Sequence, residues 1–125
     1  MSFSAFLFAE RSEKMYAKTK RINDMLYEKM EKEYHVFLEE LEKKEPKEII
    51  ASSYEKVFKE DILMTLSENN LPYDRAKTLL RMEYPLDGAY QAWLKQDTTY
   101  MDDLRDCIDD YAKKECMKRR EEQER

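Results

Sequence analysis

Residues 13–44 read EKMYAKTKRINDMLYEKMEKEYHVFLEELEKK, and this stretch decides the fold. Met15, Ile22, Leu26, Met30, Tyr34, Phe37 and Leu41 recur at intervals of three, four or seven, which lays one apolar stripe along a helix. Lys29, Glu31, Lys32, Glu39 and Glu42 take the other faces. Pro46 ends the run and suits the first turn of a second helix, whose stripe is Ile50, Tyr54, Val57, Phe58, Ile62 and Leu66. Asn69-Asn70 stops that helix, since Asn accepts the left-handed cap conformation.

Pro72 opens a third, short helix with Ala76, Leu79 and Leu80 inward, and Tyr84-Pro85 breaks it because the residue before a proline is pushed out of helical geometry. A fourth helix begins at Pro85-Leu86-Asp87, carries Tyr90, Trp93 and Leu94, and holds Gly88 in its first turn. Asp97 or Thr98 is a suitable N-cap for a fifth, with Met101, Leu104, Ile108 and Tyr111 as its buried stripe. The expectation is an all-α single domain, an irregular bundle of about five helices. An apolar N-terminal segment spans 1–12, the helical domain 13–112, and a charged, solvated helical tail 113–125.

Composition agrees. With 125 residues the chain suits one domain, and 41% charged residues beside 42% hydrophobic ones belong to long solvated helices. One Gly and three Pro cannot supply the turns of an all-β sandwich. The net charge is −5, and residues 97–112 alone hold six acidic side chains against one basic, a balance equal to that whole charge. An acidic protein of this kind is not expected to bind nucleic acid directly.

Cys107 and Cys116 sit nine residues apart on one helix, which places them on opposite faces and about 13 Å apart along the axis, too far to pair. With His35 the lone histidine and no CxxC, no zinc site of ordinary spacing can be built. The apolar start lacks a basic leader and is too short for a signal peptide or a membrane span, so a cytoplasmic protein without a membrane partner is expected. Neither cysteine has a nearby histidine, no glycine-rich phosphate loop exists and no serine sits in a nucleophile motif. Hence no catalytic residue, no metal ligand and no cofactor is assigned.

The densest constellation is Asp102, Asp103, Asp106, Asp109 and Asp110, all on one side of a helix by their steps of three or four. Like charges at these spacings cost roughly 0.2–0.5 kcal/mol per pair, with only Arg105 at hand to offset them. One reading is a solvated face whose first carboxylates complement the helix N-terminus. A second is a magnesium site, because Asp102-Asp103-Leu104-Arg105-Asp106 spells DDxxD, and magnesium needs converging hard oxygens. That reading requires a facing cluster drawn from Glu28, Glu31, Glu39, Glu40, Glu60 and Asp61, in the manner of small helical nucleotide pyrophosphohydrolases. A third is mimicry: carboxylates one helical turn apart repeat every 5–6 Å or so, comparable with successive phosphates of a nucleic-acid strand.

Single residues have plainer readings. Glu60-Asp61 is a polar step between packed turns, or a carboxylate aimed into a site; His35 is a surface or boundary residue; Trp93 with Tyr84 and Tyr90 is core, or an aromatic platform.

The string Glu60-Asp61-Ile62-Leu63-Met64, then Ala76 to Leu80, Pro85-Leu86-Asp87, Trp93-Leu94 and Tyr100-Met101-Asp102-Asp103-Leu104-Arg105-Asp106 resembles a family of small uncharacterised helical domains of gut Firmicutes, often carried on mobile elements. The resemblance runs from Leu26 to Ala112 and supplies no activity and no catalytic residue. It implies a genetic setting, accessory cargo of a mobile element.

Together these features point to a non-catalytic acidic binding protein, most specifically an anti-defence inhibitor (anti-CRISPR or anti-restriction). Its five aspartates would occupy the nucleic-acid-binding groove of a protein target, such as a nucleic-acid-processing defence complex. The alternatives are a magnesium-dependent all-helical nucleotide phosphohydrolase and a structural adaptor of another element-encoded protein. Phe3, Phe6, Leu7 and Phe8 form a further candidate contact, which either folds back to cap the bundle or docks on a partner or a second copy, making a homodimer.

Overall fold

The computed structural model describes residues 2–96 and 100–124. Among them it contains six α-helices and no strand: α1 (Phe3–Glu42), α2 (Pro46–Ala51), α3 (Ser53–Glu68), α4 (Tyr73–Arg81), α5 (Pro85–Lys95) and α6 (Tyr100–Glu124). The fold is all-α. The chain falls into two compact units, Met1–Leu94 and Lys95–Arg125.

In the first unit, α1 is the spine. Ser2 caps it, its hydroxyl accepting the Ala5 amide at 3.2 Å, so helix begins at Phe3 and not near Glu13. The apolar start is therefore the first turns of a 40-residue helix and does not fold back as a separate cap. Leu26, Met30 and Tyr34 of α1 meet Leu63 of α3, Ala76 of α4 and Leu86 of α5 in one core. Ile22, Phe37, Leu66 and Leu79 pack around it, partly buried. Met15, expected in the stripe, is exposed, because the other helices of this unit bury nothing on α1 before Asn23.

The single helix expected from Pro46 to Asn69 is two. The Ser52 amide closes α2 on Glu48 O at 3.0 Å, and the Ser53 hydroxyl donates to the Ile50 carbonyl, a local side-chain bond that competes with continuing the helix. The break frees α3 to choose its own phase. Lys59 and Leu63 are buried, while Ile50, Tyr54 and Val57, expected inward, are exposed. Tyr54 still lies tilted against Phe58, ring centres 4.4 Å apart, and Phe58 stacks on Trp93 at 5.5 Å, a partly covered aromatic ladder between α3 and α5. Tyr90 is buried, whereas Tyr84 and Leu94 are exposed.

Polar side chains of α1 complete the ends of the other helices. Asn23, buried, donates to the carbonyls of Thr19 and Leu71 at 2.8 and 2.9 Å and accepts the Leu71 amide at 2.9 Å, which fixes the approach to α4. The Lys29 ammonium donates to the carbonyls of Leu80 (2.8 Å) and Met82, where α4 runs out of acceptor partners. The Glu33 carboxylate receives the amides of Leu86 at 2.9 Å and Asp87 at 2.8 Å. At the start of α5 Pro85 has no N–H, and the Gly88 amide bonds Tyr84 O at 2.9 Å, so the first turn is fully satisfied.

In the second unit, α6 runs unbroken through the expected tail to Glu124. Met101, Leu104, Ile108 and Tyr111, expected to be buried, are exposed, since the described residues of that unit form no second helix to cover them. The N-cap expected at Asp97 or Thr98 lies outside the described residues.

Because Asn23 and Glu33 satisfy amides that have no other partner, Asn23→Ala and Glu33→Ala should each cost about 1–3 kcal/mol in urea unfolding. Glu31→Ala, on the exposed side of the same helix, should stay within about 0.5 kcal/mol.

Candidate partner-binding surface

Helix α6 spans 25 residues, roughly 37 Å, and its faces divide cleanly. At 100° per residue, Asp102, Asp103, Asp106, Asp109 and Asp110 occupy an arc of roughly 120° directly opposite Met101, Leu104, Ile108 and Tyr111. All five aspartates are exposed. Asp102 and Asp103 stand in the first turn, where a negative charge complements the helix N-terminus. Asp109 pairs with Lys113 at 3.1 Å, an exposed bridge of little energetic weight. Arg105 shares a shallow, open depression with Asp102, Asp106 and Asp109.

Cys107 and Cys116 are free and exposed on the same helix. Among the described residues no three His, Cys, Asp or Glu side chains converge as metal ligands. The second candidate surface, at the start of α1, has Phe3, Phe6 and Phe8 exposed and Leu7 half-buried.

The remaining candidates fall elsewhere. Glu60 faces α1, accepting the Tyr34 hydroxyl and the Lys56 ammonium, while Asp61 is exposed. The Lys56 ammonium, then the Tyr34 hydroxyl, hold the Glu60 carboxyl below its ordinary range. Burial, reinforced by Glu60, raises the Tyr34 phenol. His35 is exposed beside Glu31, 4.0 Å away.

Lys59 is the group that sequence reasoning missed. Its side chain is buried, 3.1 Å from Glu55 and 3.7 Å from Asp87, with its ammonium 4.1 Å from the Phe37 ring centre and 5.8 Å from that of Tyr90. Two carboxylates and two aromatic faces thus compensate one buried charge and join α1, α3 and α5. Its position four residues before Leu63 was the available signal, hidden because lysine reads as surface.

No helix of the described residues is long and apolar enough to cross a membrane. Fold and surface thus define a small all-helical protein with an exposed helix that is acidic on one side and apolar on the other. The chain belongs to the family described as "Protein of unknown function (DUF3848)", which matches residues 22–116. The match opens where α1 enters the core and closes within α6, so the exposed start of α1 lies outside it. No curated protein matches the chain, and no solved structure does.

The depressed Glu60 pKa fixes a sign. Its contribution to stability is complete above the ordinary glutamate value of 4.5 and is lost as the pH falls through the lower folded value. Urea midpoints measured from about pH 7 to pH 3 should therefore fall on the acid side, and Glu60→Gln should flatten that limb.

Proposed function

We propose that this chain is a non-catalytic acidic binding protein that engages a protein target through α6. The carboxylate row would occupy a basic groove that the target otherwise uses for nucleic acid. The observation that carries this reading is the exposure of all five aspartates on one arc of an unbroken helix. Residues one turn apart there repeat at about 5–6 Å, near the spacing of strand phosphates, and a helix holds that spacing without further ordering cost. A groove lined with Lys and Arg supplies the counter-charge that the row lacks on its own helix, where Arg105 and Lys113 are the cations near it.

The finer reading is an anti-defence inhibitor, anti-CRISPR or anti-restriction, carried by a mobile element. It rests on the resemblance to accessory cargo together with the acidic row. The partner is then a nuclease complex, and the protein acts by excluding its nucleic acid.

The charge-reversal variant Asp102→Lys/Asp106→Lys/Asp109→Lys tests this. It should keep the helical circular dichroism of the parent, because all three positions are exposed. The unchanged protein should capture from its host a nucleic-acid-binding protein and displace DNA or RNA from it, more weakly as salt rises. The variant should do neither. Equal capture and displacement by the variant would contradict the mechanism.

A further inference from the structure

The first half of α1 carries most of its cations on one line. At 100° per residue, Phe3, Leu7, Arg11, Lys14, Lys18 and Arg21 fall within an arc of roughly 80°, turned away from the core face of Leu26 and Met30. All but the half-buried Leu7 are exposed. No acidic side chain between residues 3 and 21 lies inside that arc. Glu10, at its edge, pairs with Lys14 at 3.6 Å, and Glu13 stands farther round. Lys77 of α4 widens the cationic surface: its ammonium lies 5.7 Å from the Tyr73 ring centre, and that of Lys18 lies 4.5 Å from the same centre.

Apolar bulk gathers at one end of the same line. Phe6 and Phe8 flank Phe3 and Leu7, so residues 3–8 present four large apolar side chains over roughly 200° of the helix surface. Phe3, Phe6 and Phe8 are 78%, 57% and 73% exposed. A single partner helix covers an arc of about 100° and would leave half of them in water. A nucleic-acid groove would answer the cations and offer nothing to the phenylalanines.

We propose that this half of α1 rests, tilted, on an anionic lipid surface, with its four apolar side chains below the headgroups and Arg11, Lys14, Lys18 and Arg21 among the lipid phosphates. A fluid acyl layer closes around side chains on several sides of a helix, and a surface helix sinks its apolar part about 5–10 Å into the interface. Residues 3–8 measure about 8 Å along the axis, so that depth takes in the apolar end and leaves the cations at headgroup level. There each Lys or Arg adds attraction to an anionic leaflet. Cations and apolar side chains share one face, so a single orientation satisfies both. The contact is peripheral: no helix of the described residues is long and apolar enough to cross a membrane, and a helix at the surface needs no such length.

Co-sedimentation of the full chain with lipid vesicles tests the proposal. The parent should bind vesicles of equimolar phosphatidylcholine and phosphatidylserine, more weakly as salt rises, and should stay in solution with phosphatidylcholine alone. Arg11→Gln/Lys14→Gln should lower the partition coefficient about ten-fold, and Phe3→Ser/Leu7→Ser about a hundred-fold. Both should keep the helical circular dichroism of the parent, because the buried positions of α1 begin at Asn23. Leu104→Ser/Ile108→Ser, which interrupts the exposed apolar row of α6, should bind as the parent does. A parent that ignores the mixed vesicles, binds both lipids equally or prefers a DNA duplex would overturn the proposal. So would either α1 variant binding as tightly as the parent, or loss of binding in the α6 variant.

Discussion

The two oxygens of the Glu33 carboxylate receive the first two amides of α5, at 2.9 and 2.8 Å, and the arrangement of the bundle rests on this kind of bond. A helix end inside a protein exposes backbone groups that have no partner in the helix itself. Three of the five helices in this unit are short, so a large share of their backbone is end. Side chains from the long helix supply what the short ones lack: Asn23 for Leu71 before α4, Lys29 for the last carbonyls of α4, and Glu33 for the first amides of α5. Charge sign follows the helix dipoles, a cation at the α4 C-terminus and an anion at the α5 N-terminus. The apolar contacts of Leu26, Met30, Ala76 and Leu86 hold the helices together, and the polar ones fix where each begins and ends.

Lys59 extends the same logic into the core. A buried ammonium is tolerable only when compensated, and Glu55, Asp87, Phe37 and Tyr90 compensate it from three helices. Asp87 is thereby engaged twice, its amide by Glu33 and its carboxylate by Lys59. The exposed acidic row lies on α6, where the aspartates face solvent and an apolar row lies on the other side. That division makes α6 suited to binding.

The all-α class was legible from the spacing of apolar residues in 13–44 and from Pro46, Pro72 and Pro85, each of which opens or directly precedes a helix. The placement of the five aspartates on one side followed from helical periodicity alone. What escaped was set by tertiary structure. Periodicity reports which face of a helix is apolar, not whether anything covers it, so Met15, Ile50 and the α6 row were expected inside and are exposed. The start of α1 at Phe3 depends on the Ser2 cap, a local signal outweighed by the apolar run after it. Asn23, Glu33 and Lys59 read as surface residues because the partners they reach outside their own helix lie 22 to 54 positions away.

Native-state hydrogen exchange of individual amides tests the central claim, that α1 side chains close the ends of the short helices. First-turn and loop amides ordinarily exchange through fraying. Here the amides of Leu71, Leu86 and Asp87 should exchange as slowly as those of Leu26 and Met30. In Glu33→Ala those of Leu86 and Asp87 should accelerate far more than that of Leu71. Unprotected exchange at all three positions in the parent protein would contradict the account.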